Sequence, residues 1–91
     1  MELILEKWNE ILRTVKEEHE LSDISFDTWL KPLSVYNVEG NKLYILVPSE
    51  QMGLNYITKK YTLPIKVAIA ELIGIDYEIE FILQEQTRTI P

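Results

Sequence analysis

Glu78 and Glu80 are two carboxylates one residue apart, a spacing that sets both on the same side of a strand. General acid–base work needs such a pair inside a pocket, with the two members in different environments. Here they belong to the polar half of an alternating segment, and a solvated face accounts for both. His19 is the one histidine, lying among Lys16, Glu17, Glu18 and Glu20 with no second ligand at metal-binding spacing; zinc takes three or four. There is no cysteine for a thiolate site or a disulfide. Gly40, Gly53 and Gly74 are too scattered to cradle a phosphate, and read as a turn, a helix interruption and a helix terminator. No catalytic, cofactor-binding or metal residue is expected, and the chain reads as a non-enzyme. One constellation remains. Lys59 and Lys60 beside Tyr56 and Tyr61 combine charge with stacking rings, as weak single-stranded nucleic-acid surfaces do, although a solvated lysine pair next to core tyrosines is the simpler reading.

Ninety-one residues suffice for one domain, burying on the order of two-thirds of the surface the unfolded chain would expose. With 46% hydrophobic residues and no disulfide, packing alone must hold it together, as suits a cytoplasmic protein. No apolar run reaches the length of a membrane span, and the first residues, Met-Glu-Leu-Ile-Leu-Glu, are too short and too acidic for a signal peptide. The formal charge of -6 repels phosphate on average, which disfavours tight nucleic-acid binding and points to protein partners.

The elements follow from periodicity. Ile4, Trp8, Ile11 and Val15 form one apolar stripe, predicting a first helix from Leu3 to Val15 with a charged, exposed end. Ser22 or Asp23 can cap a second helix, in which Phe26, Trp29, Leu30 and Leu33 share a side while Ser25, Asp27, Thr28 and Lys31 face water. Pro32 ends that helix and is expected to push Lys31 out of the helical region. Leu33 to Val38 and Lys42 to Val47 read as a hairpin. A Gly40-Asn41 loop then sets Val38 opposite Leu43 and Tyr36 opposite Ile45. Tyr36, Val38, Leu43, Ile45 and Val47 would share one side, leaving Val35, Tyr44 and Leu46 on an unusually apolar second side. Ser49 can cap a third helix through Leu54, Ile57 and Tyr61, weakened at Gly53 by about 1 kcal/mol. Thr62-Leu63-Pro64 reads as a kink or restart. Ile65, Ala68, Ile69, Leu72 and Ile73 then make a fourth helical stripe, closed by Gly74. Tyr77, Ile79, Phe81 and Leu83 alternate with Glu78, Glu80 and Ile82 as a strand. The fold class is α+β, in the order α-α-β-β-α(broken)-β, a three-stranded sheet with helices packed on it. Residues 1–84 form a single domain, and residues 85–91 a tail or the start of a linker.

Trp8-Asn9, the run Ser25-Phe26-Asp27-Thr28-Trp29-Leu30-Lys31-Pro32, the Gly40 hairpin, Leu43 to Pro48, Tyr61 and Gly74 together resemble the N-terminal domain of the DnaA family of bacterial replication initiators. The similarity runs from about position 5 to position 83. The resemblance implies a KH-like α+β arrangement, although nothing matches the Gly-x-x-Gly loop of RNA-binding KH domains. It also implies a docking module that self-associates, helps to load the replicative helicase and is the target of initiation regulators, while ATP and duplex DNA belong to other domains of such initiators. Carried over by position, it assigns Leu5, Trp8 and Leu12 to self-association, with Phe26 and Trp29 in the core. Partner binding falls to Ser25, Asp27 and Thr28 with Ser49, Glu50, Gln51 and Met52. Periodicity by itself puts Trp8 in the buried stripe. The sequence departs from the family after Pro48, where Met52 stands in for the usual aromatic anchor and only partly replaces it, which bears most on helicase docking. Two other readings are a weak single-stranded nucleic-acid contact through Tyr56, Lys59 and Lys60, and a free-standing competitor of a full initiator.

Overall fold

The computed structural model describes residues 2–48 and 53–83. The first helix, α1, spans Glu2–Glu18 and turns Ile4, Trp8, Ile11, Leu12 and Val15 inward. A short helix, α2 (Asp23–Ser25), is capped by Ser22, whose Oγ accepts the backbone N–H of Ser25 at 3.1 Å. It widens without a break into a π-helical turn, Phe26–Leu30, closed by the Lys31 N–H donating to the Phe26 carbonyl at 2.9 Å. Lys31 keeps helical angles (φ -56°, ψ -36°), so the proline after it does not drive it into extended conformation. Pro32 acts by lacking a donor: the Leu33 N–H reaches back to the Leu30 carbonyl at 2.9 Å, and the chain becomes extended only at Ser34.

Strands β1 (Ser34–Glu39), β2 (Lys42–Val47) and β3 (Glu78–Leu83) form one sheet in that order, β1 antiparallel and β3 parallel to β2. The Gly40-Asn41 loop is as expected, Gly40 supplying a φ of 60°, and Val38 does face Leu43. Beyond that the register departs from expectation. Val35, not Tyr36, pairs with Ile45, and a bulge at Tyr36 absorbs the extra residue. Val35 and Val38 are an odd number of residues apart and would face opposite ways in a regular strand. The bulge lets both pack on the core while Tyr36 stays 45% exposed.

A parallel neighbour cannot be reached by a tight turn, so β2 and β3 are joined by a crossover carrying α3 (Leu54–Ile73). This helix is continuous through Pro64, where a break and a separate fourth helix were expected. Ile57 and Tyr61 before the proline and Ile65, Ala68 and Ile69 after it pack into the same core. That shared burial offsets the roughly 3 kcal/mol an interior proline costs. Gly53 precedes the helix as its N-cap (φ 76°) and does not weaken its interior, while Gly74 terminates it in the left-handed conformation (φ 83°). The cap expected at Ser49 and the tail from 85 onward lie outside the described residues. Lys66 fastens the end of the crossover, its Nζ donating to the Tyr77 carbonyl and pairing with Asp76, each at 2.8 Å. Among the described residues no helix is long and apolar enough to cross a membrane.

The bulge gives a direct check of the register. Val35→Asp places a charge against the core and is expected to cost about 2 kcal/mol or more, whereas Tyr36→Asp should stay within about 0.5 kcal/mol of the parent. Urea denaturation measures both, and equal losses would contradict this pairing.

Candidate protein-interaction site

Two positions of the π turn, Asp27 and Thr28, are exposed, and Ser25 just before them is half-buried. The turn is held over the start of α3 by a ring contact between Trp29 and Tyr56, centroids 4.8 Å apart and planes tilted by 47°. Tyr56, itself 44% exposed, accepts a hydrogen bond from Lys60 Nζ at 2.8 Å. The same ammonium lies 5.2 Å from the centre of the Tyr56 ring and 5.7 Å from that of Tyr61. The hydrogen bond to the Tyr56 hydroxyl, then the charge interaction with the Tyr61 phenol group, holds the Lys60 pKa above its ordinary value. Asp27, Thr28, Tyr56, Lys59 and Lys60 therefore decorate two elements joined through the half-buried Trp29 and the exposed Tyr56 ring. Ser49, Glu50, Gln51 and Met52 lie outside the described residues, immediately before Gly53.

Leu5, Trp8 and Leu12 do not form a surface patch. Leu5 is 51% exposed, but Leu12 is buried and Trp8 sits in the core at 8% exposure. The indole Nε1 of Trp8 donates to the Leu33 carbonyl at 3.0 Å, tying α1 to the chain that leaves the π turn. Trp8 thus follows its periodicity, and only Leu5 of the three offers its side chain to a neighbour. Phe26 and Trp29, assigned to the core, are half-buried against it.

Two features were not anticipated. An open groove of about 590 Å³ between α1 and the α2 and π-turn segment is lined by Leu12, Leu21 and Phe26 and by charges of both signs, Arg13, Lys16 and Lys31 with Glu17 and Glu20. Lys16 lies 5.3 Å from the centre of the Phe26 ring and pairs with Asp23, whose carboxyl it holds below the ordinary carboxylate value. Its parts come from segments whose approach no local pattern encodes. The second feature is on α3, where Leu63 and Val67 point outward at 65% and 42% exposure. Their four-residue spacing was a legible signal, hidden by reading Leu63-Pro64 as a break.

The carboxylates set aside on the strand are part of the sheet's outer surface. Glu80 pairs with Lys42 at 2.9 Å, and that hydrogen bond, then the charge of Glu80, raises the Lys42 pKa. Lys42 also lies over the Tyr44 ring at 5.4 Å. With Leu46 and Ile82 half-buried beside them, this face is less bare than its composition implies. His19 is exposed, and no group of three potential metal ligands occurs among the described residues.

The fold and these surfaces define a class: a small α+β domain with a three-stranded mixed sheet, its helices on the sheet and its distinctive side chains displayed at helix surfaces. Within that class the chain belongs to the DnaA N-terminal domain family, whose model matches residues 6–71. It is 46% identical over 89 residues to the chromosomal replication initiator protein DnaA of Lachnoclostridium phytofermentans, an alignment covering 94% of this chain and 20% of that protein. The chain spans about a fifth of the length of this relative.

Two measurements test the electrostatics and packing around α3. The buried Tyr61 hydroxyl has no hydrogen-bond partner among the described residues, and burial raises its pKa. Tyr61→Phe is therefore expected to leave stability unchanged or raise it by about 1–2 kcal/mol, read from thermal melts. Glu71 is raised above its ordinary 4.5, first by the charge of Glu18, then by desolvation and by a hydrogen bond to Glu18. A raised folded-state pKa contributes stability that is complete below 4.5 and is lost as pH rises through the folded value. Glu71→Gln should accordingly raise the melting temperature at neutral pH and flatten its rise on acidification; an unchanged pH profile would show that the two carboxylates do not interact.

Proposed function

We propose that this domain is a non-catalytic docking module of a cytoplasmic replication initiator, associating with its own kind and docking the replicative helicase and initiation regulators. The observation that carries this reading is the Trp29–Tyr56 contact, which locks the π turn onto α3 and presents Asp27, Thr28 and the Tyr56 edge on a fixed frame. Binding energy concentrates where an aromatic anchor is held rigid, because little side-chain entropy is then lost on association. Ser25, just before the turn, and the segment Ser49, Glu50, Gln51 and Met52, which the family resemblance assigns to partner binding, are proposed to take part in the same docking. Self-association uses the exposed Leu5, with Trp8 and Leu12 holding the helix that presents it.

The weak single-stranded nucleic-acid reading draws on Lys60 beside the Tyr56 ring, with Lys59 adjacent. Tyr61 is buried and unavailable for stacking, leaving one ring and two lysines in a chain of charge -6. Protein docking is favoured for that reason.

Binding of the cognate replicative helicase, followed by calorimetry, is expected to weaken about tenfold on Tyr56→Ala and several-fold on Thr28→Ala, with the melting temperature of Thr28→Ala unchanged. Unaltered affinity in both variants would overturn the assignment. Affinity for an oligothymidine that falls steeply with salt and disappears in Lys59→Ala/Lys60→Ala would favour the nucleic-acid reading instead.

A further inference from the structure

Tyr56 reaches Trp29 from the first turn of α3, a turn without a side-chain cap. Its N-cap is Gly53, which makes no side-chain hydrogen bond, and no acidic residue in the first turn answers the free N–H groups. Little in the turn itself fixes the exposed ring, so its side-chain contacts decide its orientation. Trp29 meets it at the ring. Lys60, one helical turn farther in, holds the other end by donating from Nζ to the Tyr56 hydroxyl at 2.8 Å. The residue after Lys60 is the buried Tyr61, whose ring centre lies 5.7 Å from the same ammonium. Lys60 thus spans from an exposed ring to a buried one.

We propose that Lys60 is a positioning residue for docking: it acts through the Tyr56 hydroxyl, fixing the ring against Trp29 so that its edge is presented in one orientation. This rests on the docking reading above and adds to it a residue that does not itself meet the partner. The geometry separates the two lysines of this turn. Lys59 makes no ion pair among the described residues, and its charge is open to solvent or to a partner. The Lys60 ammonium is committed to the Tyr56 hydroxyl. That hydrogen bond, then the charge interaction with the Tyr61 phenol group, favours the protonated form, so the donor persists throughout the neutral range. A tyrosine held at both ends loses little freedom on association, whereas one held by its ring alone must be immobilised by the partner. A lysine acting only as a surface charge would not depend on the phenol oxygen at all.

A double-mutant cycle on the whole 91-residue chain, read by calorimetry against the cognate replicative helicase, tests this. Lys60→Met and Tyr56→Phe are each expected to weaken binding about threefold to tenfold, and the double variant no more than either alone, because both remove the same bond. Lys60→Arg keeps a donor at the same place and should restore most of the affinity. In the free domain, the near-ultraviolet circular dichroism of the tilted Trp29–Tyr56 pair should diminish in Lys60→Met and return in Lys60→Arg, with the far-ultraviolet signal and the melting temperature in place. Additive losses in the double variant would make Lys60 a direct contact of the partner and overturn the proposal. Unchanged affinity in Lys60→Met overturns it too, while weakened binding in Tyr56→Ala and Thr28→Ala would leave the docking reading standing. Unaltered affinity in all of these variants removes the docking reading, and this inference with it.

Discussion

The hydrogen bond from the Trp8 indole to the Leu33 carbonyl joins the parts of this domain that local structure does not. Leu33 is where the π turn gives way to β1, and its carbonyl is buried with no strand to pair it. An unmet carbonyl there would cost about 1–3 kcal/mol, so the donor on α1 fixes both the depth of the indole and the point at which the chain turns into the sheet. Leu30 and Leu33 close over the same core. The aromatic groups of the first half are thereby committed: Trp8 inward, Trp29 and Phe26 at the margin, and Asp27 and Thr28 outside.

From that anchor the rest is a matter of covering β2. It is the middle strand, and its inner side chains Leu43, Ile45 and Val47 are all fully buried. The hairpin reaches its first neighbour through two residues, but the parallel neighbour demands a crossover, and α3 is long enough to span the helix layer beside α1. The length that lets α3 complete the core also leaves it a long outward face. Lysines and exposed leucine and valine thus gather on one helix of an acidic chain, which spans about a fifth of the length of the initiator it is similar to.

Two of the departures from expectation share one cause. The Val35 and Val38 spacing contradicts a regular strand, and the bulge at Tyr36 resolves it only because helices lie over that side of the sheet. Proline at position 64 breaks a helix judged locally, yet the helix continues because the residues before and after it serve one core. Lys31 stays helical before Pro32 because the π turn takes its N–H back to Phe26. In the first two cases a local preference worth a few kcal/mol was outweighed by burial contributed by residues distant in the chain, and at Lys31 by a hydrogen bond within the turn itself.

The sequence by itself determined the order of elements, the two-residue hairpin loop, a cap at Ser22 or Asp23, the Gly74 terminator, the apolar stripes and the resemblance to the family, because these depend on spacing and on backbone preferences that act within a few residues. Only the tertiary structure decided that the Trp8 indole meets the Leu33 carbonyl, that Tyr36 turns outward, that Trp29 meets Tyr56, and that α3 is one helix with an uncovered apolar side. Periodicity tells which residues share a face; which face is covered depends on what the remainder of the chain brings against it.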